Sequence, residues 1–177
     1  METTMLKDAL TVIQERKSVR NYTGETVSKK DIEKILYAAM AAPAAVHLTP
    51  WKYVVVSEKG MLKKLSEHLP HAKMLQQAGT GIVVCVSPAE AASQSEIYAI
   101  LDGACASENI LLAAEALGLG AVWTALYPNK ELMNFVRNEL DIPQNVIPLN
   151  LIPIGYPTGE DKPQKKYDAK NIHWDVW

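Results

Sequence analysis

Cysteine is scarce: only Cys85 and Cys105 occur among 177 residues, with no CxxC pair and no Cys/His ligand spacing. That argues against a zinc site, and the apolar or small neighbours of both thiols predict that they are free and buried. A basic excess is also missing. Eighteen Lys and Arg stand against twenty Asp and Glu, a net charge of −2, so a polyanion such as nucleic acid is not the expected partner. No uninterrupted apolar run reaches about 18 residues, the length a membrane span needs. Met1-Glu2-Thr3-Thr4 lacks the basic-then-apolar pattern of a secretory signal, so no membrane association and a cytoplasmic location are the expectations. Repeats, low-complexity tracts and Gly/Ser linkers are absent too, and nothing divides the chain: residues 1–177 read as a single domain. Hydrophobic residues at 48% and charged residues at 21% suit an ordinary globular protein with a real core.

What the chain does have, early on, is Arg16-Lys17-Ser18-Val19-Arg20. In an extended segment side chains alternate between faces. Arg16, Ser18 and Arg20 then share one face, and Lys17 and Val19 the other. Two guanidiniums flanking a hydroxyl form a cradle for phosphate, because Arg makes bidentate, charge-assisted bonds to phosphate oxygens. The plainer alternative is a solvated basic turn.

Periodicity supplies the frame. Residues 5–15 read as a helix with Leu6, Leu10 and Ile13 at helical spacing. Ser28, with Asp31 three positions on, caps a second helix whose apolar face is Ile32, Ile35, Leu36 and Ala39, and Pro43 ends it. Residues 52–57 form a strand by β-branched content, 59–68 a short helix, and 81–86 a strand apolar enough for burial on both faces. The longest helix, 94–117, spreads its apolar residues around much of its circumference. It is either a central core helix or part of a dimer interface. Gly118-Leu119-Gly120 stops it. A strand at 121–125, a helix at about 129–139 and a strand at 146–154 follow, then a polar, basic tail. Loose alternation, with a helical hairpin at the start, favours a three-layer α+β arrangement: a mixed central sheet flanked by helices.

Three further segments could carry chemistry. Ala42-Pro43-Ala44-Ala45-Val46-His47-Leu48-Thr49-Pro50-Trp51 is a small-residue loop against which a flat ligand could lie, with His47 offering ring nitrogens; it could equally be a helix–strand connection. In the long helix, Asp102, Glu108 and Asn109 interrupt apolar surroundings and need partners, in a structural network or in a ligand. Ile154-Gly155-Tyr156-Pro157 ends the last strand, and Lys162-Pro163-Gln164-Lys165-Lys166-Tyr167 follows.

Taken together, in order and with their spacing, these segments resemble the nitroreductase family of flavoproteins over nearly the whole chain. The resemblance rests on Arg16 to Tyr22, on Ala42 to Trp51, on the helix from Asp102 to Gly120, and on the Ile154–Pro157 strand end with its basic tail. It implies the three-layer α-β-α fold of that family, with the long central helix at a homodimer interface, and FMN bound in sites built from both subunits. It assigns Arg16, Lys17, Ser18 and Arg20 to the phosphate end of FMN, joined by Lys166. Pro43, Ala44, Ala45 and His47 would come from the other subunit and lie along the isoalloxazine. Backbone around Thr124, Ala125 and Leu126 would approach the flavin N5 region, where Gly120 allows tight packing. The activity implied is NAD(P)H-dependent reduction of nitroaromatic, quinone or similar conjugated acceptors, with the chemistry on the flavin and no catalytic side chain required. A flavin-binding protein for storage or sensing, with little turnover, is the alternative. Three positions depart from the family pattern: Ala44 replaces Ser, His47 replaces Asn and Thr49 replaces Gln. In the tail, Gln164 and Lys166 are weaker phosphate grips than Arg.

Overall fold

The computed structural model describes residues 7–177, so the expected start of the first helix at residues 5 and 6 lies outside the described residues. Helix α1 is Ala9–Glu15, capped by Asp8, whose side chain accepts the Leu10 and Thr11 N–H groups. Helix α2, Lys29–Met40, begins at the expected Ser28 cap, with Ser28 Oγ accepting the Asp31 N–H at 3.1 Å. Strand β1 (Trp51–Val56), helix α3 (Lys59–His68), the one-turn helix α4 (Leu75–Ala78) and strand β2 (Thr80–Val86) follow. Then come helix α5 (Glu96–Ala116), strands β3 (Gly120–Ala121) and β4 (Thr124–Ala125), helix α6 (Lys130–Glu139) and strand β5 (Ile147–Gly155).

The sheet runs β1-β2-β5-β3, with β4 also on β5. Every named pairing is antiparallel. The sheet is therefore antiparallel and not the mixed sheet expected, since each strand reverses direction against its neighbour; the Ser18 to Ala121 parallel contact is an isolated bridge outside the strands. The expected strand at 121–125 is thus two short pieces, interrupted at Val122-Trp123.

Alternation along β2 builds the three layers. Ile82 and Val84 pack with α2 and α5 through Ile35, Ile110 and Ala114. Val83 and Cys85 face the opposite way, into a cluster with Leu62 and Leu65 of α3, Leu75 of α4 and Val136 of α6. Apolar side chains at both i and i+1 are what a strand covered on two faces requires. Burial pushes the Cys85 thiol up to about 12, against the pull of the nearby Arg137 guanidinium. Cys105 departs from expectation: it is exposed on α5.

Helix α5 is the one helix among the described residues that is long and apolar enough to cross a bilayer by composition. Here it packs against α2, the sheet and α1. Gly103 permits the close approach to the sheet, because a Cβ there would lie 2.5 Å from Val86 Cγ1. Its polar residues each hold a neighbour. Asp102 Oδ1 accepts the Ala45 N–H at 3.1 Å, Asn109 Nδ2 donates to Ala38 O at 2.9 Å, and Glu108 pairs with Arg16 at 3.3 Å. Part of the apolar stripe of α1 stays open: Leu10 is 68% exposed and Ile13 55%, and on α5 Ile97 and Leu101 are exposed as well.

Candidate functional site

The basic segment is extended, as its alternation predicts. Val19 turns inward and is buried, its N–H donating to Ala121 O at 3.0 Å. That contact is possible because residue 120 is glycine; a Cβ there would lie 2.6 Å from Val19 Cγ1. Arg16, Ser18 and Arg20 turn outward into a cavity of about 510 Å³, which Lys17 also lines. The far wall is the tail: Glu160, Asp161, Lys162, Gln164 and Lys166. The structure therefore brings together every residue expected at an anion end, from positions 16–20 and 162–166.

The cations there are not equivalent. Arg16 is paired with Glu108. Lys17 Nζ donates to Glu115 at 3.0 Å, and Lys7 Nζ donates to the same carboxylate at 2.7 Å. Lys162 Nζ folds back to Gly159 O. Arg20 and Lys166 make no ion pair among the described residues, so their charges are open to an incoming anion. Lys17 is a cation held by the protein, and it supports the cavity wall from behind.

Glu115 is the buried post of this arrangement. Burial works to raise its pKa, but the bonds and charges of Lys7 and Lys17 outweigh it and hold the carboxyl below its ordinary value of 4.5. A carboxyl depressed in the folded state stabilises the fold above its unfolded pKa, and that stability is lost as pH falls through the folded value. We expect the Tm of the wild type to drop as pH is lowered below about 4.5, and Glu115→Gln to flatten that drop. Parallel Tm-against-pH curves for the two proteins would remove the pair from the stability account.

A second cleft of about 440 Å³ adjoins the first and shares Arg20 with it. Val122, Trp123, Thr124 and Ala125 form one side, and Pro70, His71, Lys73 and Met74 the other. Thr124 Oγ1 donates to Leu151 O, fixing this backbone on β5. Thr124 and Ala125 are therefore at a cleft, as expected. Leu126 is different: its side chain is buried in the α3/α6 layer and its N–H donates to Leu149 O at 3.1 Å. Pro70, His71, Lys73 and Met74 are not legible as site residues, since they lie on the turn that joins α3 to the one-turn α4 and no motif marks it.

Pro43, Ala44, Ala45 and His47 line neither cleft of this protomer. They lie on a 3₁₀ turn held by Asp102, with Val46 and His47 in the left-handed region at φ 49° and 59°. A β-branched residue there is strained. Val46 and Leu48 are both exposed.

The donor set of the first cavity, two unpaired cations with Ser18 and Gln164, suits a phosphate ester. The second cleft, with Trp123 and a run of small or backbone-presenting positions, suits a flat heterocycle continuous with that ester through Arg20.

Comparison with known proteins identifies the family. The model of the nitroreductase family matches residues 13–72 and 64–156. A protein from Archaeoglobus fulgidus, named as a candidate NADH dehydrogenase/NAD(P)H nitroreductase, is 38% identical over 175 residues, covering 97% of this chain and 100% of that protein. The crystal structure of a similarly named protein from Bacteroides thetaiotaomicron superposes with a TM-score of 0.90 at 46% identity, covering 96% of this chain and 98% of that one. An FMN-dependent nitroreductase from Clostridium difficile superposes with a TM-score of 0.85 at 28% identity, covering 95% and 99%.

Proposed function

Because the chain belongs to the nitroreductase family, we propose that it is an FMN-dependent oxidoreductase that takes reducing equivalents from NAD(P)H. It passes them in a second half-reaction to nitroaromatic, quinone or similar conjugated acceptors. The observation that carries this reading is the pair of adjoining clefts joined at Arg20, one cationic and one flat-walled.

When bound, FMN supplies reversible hydride chemistry. Arg20, Lys166, Ser18 and Arg16, which line the first cavity, would hold its phosphate. Lys17 keeps the wall in place through Glu115. The backbone of 122–125, which lines the second cleft, would border the ring, while Leu126 anchors that backbone through its N–H to Leu149 O. Lys73, across the second cleft, is a cation beside the ring edge, where it would stabilise the negative charge that reduction places there. No acid–base side chain is needed for either half-reaction.

The protein works as a homodimer in this reading. Pro43, Ala44, Ala45 and His47 serve the site of a second copy, and that copy covers apolar side chains left exposed here, among them Leu10 and Ile13 of α1 and Ile97 and Leu101 of α5. Unpartnered apolar surface of this kind is a normal sign of an interface.

The test is spectroscopic. Protein reconstituted with FMN is expected to show flavin absorption bands that bleach on anaerobic addition of NADH or NADPH. A nitroaromatic or a quinone should then restore them. A yellow protein that stays oxidised with both nucleotides would favour the storage or sensing reading. Failure to bind FMN would end the flavin reading altogether.

A further inference from the structure

Glu160 and Asp161 line a cavity whose other charged groups are all cations. A carboxylate in that position repels a phosphate, so its presence calls for a compensating role. For Asp161 the hydrogen bonds provide one. Its Oδ2 accepts the backbone N–H of Arg20 at 3.0 Å, the backbone N–H of Asn21 at 3.2 Å and the Asn21 side-chain amide at 3.4 Å.

These bonds end a series that joins the tail to the basic segment. Thr23 N–H donates to Tyr156 O at 2.9 Å, and Thr158 N–H donates to Asn21 O at 3.0 Å. Tyr22 and Pro157 form a bridge. Beyond Asp161, among the described residues, no hydrogen bond ties 163–167 to the body of the protein. Asp161 is thus the last fixed point before Gln164 and Lys166 reach the cavity.

We propose that Asp161 is a positioning residue that latches the tail beside Arg20, so that Lys166 and Gln164 face the bound phosphate while its own charge opposes that phosphate. The latch and the charge act on affinity with opposite signs. Two substitutions separate them. Asn keeps an oxygen acceptor for the Arg20 and Asn21 N–H groups and removes the charge. Ala removes both. The inference rests on the FMN reading only for the identity of the anion.

The experiment is titration of apoprotein with FMN, followed by quenching of flavin fluorescence, with riboflavin as the ligand that lacks the phosphate. At low salt Asp161→Ala is expected to bind FMN about two- to threefold more weakly than wild type, because a roughly tenfold loss from the missing hydrogen bond is partly offset by removal of the charge. Asp161→Asn should bind FMN roughly three- to fivefold more tightly than wild type at low salt, an advantage that fades as salt screens the charge. Riboflavin affinity should be the same in all three proteins. An Asp161→Asn protein as weak as Asp161→Ala, or an Asp161→Ala protein equal to wild type, overturns the proposal. If wild type binds neither flavin, the FMN reading has failed, and amide hydrogen exchange still judges the latch. Fast exchange at Arg20 and Asn21 in Asp161→Ala, with protection kept in Asp161→Asn, supports it. Equal exchange in all three proteins overturns it.

Discussion

Replacing Gly155 with alanine is expected to destabilise the protein by about 3 kcal/mol, the upper end for overpacking a tight site, and to lower the Tm by roughly 6–12 °C. Gly155 closes β5, opposite Gly120 of β3. A Cβ on it would lie 2.6 Å from Ala78 O, 2.9 Å from Tyr22 Cδ1 and 3.0 Å from Ala78 Cα. Two of those atoms are backbone, so no rotamer change relieves the contact. Ala78 ends α4, just before the left-handed turn at Gly79, φ 79°. Tyr22 is pinned as well, its hydroxyl donating to Val19 O at 2.8 Å, with Pro153 O at 3.3 Å. Burial raises the pKa of that hydroxyl, with the Asp161 charge acting in the same direction, so it stays a donor across the neutral range. Relief must come from moving the Ala78 backbone as well as Tyr22, and with Tyr22 the Val19–Arg20 segment. FMN affinity is therefore expected to fall alongside stability. A thermal melt within about 2 °C of wild type would mean that the β5 end yields more readily than its packing indicates.

Arg20→Ala is expected to raise the Kd for FMN by about 10- to 100-fold, from the loss of one charge-assisted phosphate contact, with little change in Tm because the side chain is exposed. Arg20 lines both clefts, and its guanidinium makes only a long bond to Ser18 O, at 3.4 Å. Its charge is uncommitted, so the ligand receives nearly all of its effect. Arg16→Ala should cost less, because Arg16 already spends part of its charge on Glu108. Titration of the two apoproteins at two salt concentrations checks both statements. Arg20→Ala should also show the shallower salt dependence, having lost a contact that salt screens. Equal affinities for wild type and Arg20→Ala would remove Arg20 from the phosphate end.

Much of this arrangement is legible in the sequence where the physics is local. The Ser28–Asp31 cap, the doubly buried β2 and the long α5 follow from capping chemistry and periodicity. The outward face of Arg16, Ser18 and Arg20 follows from strand alternation. What sequence does not disclose is the work of contacts between distant segments. Glu108 and Glu115 are ordinary helix residues until folding sets them beside Arg16 and Lys17. Asp161 reads as part of a solvated tail until its carboxylate meets the Arg20 backbone. Lys73 sits next to a one-turn helix too short to register as periodicity. The sequence also does not disclose that the Leu126 side chain, next to Thr124 and Ala125 at the cleft, turns into the opposite layer of the core. The apolar stripe of α1 is real, yet within one protomer part of it remains uncovered.

The joining of positions 20–21 to Asp161 spans about 140 residues of chain. Closing so long a loop is entropically unfavourable until the intervening sheet is in place. During synthesis the wall at 16–20 therefore emerges about 140 residues ahead of the wall at 160–166, and the two meet only once the sheet between them has formed. Capture of the anion thus reports on the fold between the two walls: a chain cut ahead of Glu160 keeps the sheet and its helices yet lacks one side of the cavity.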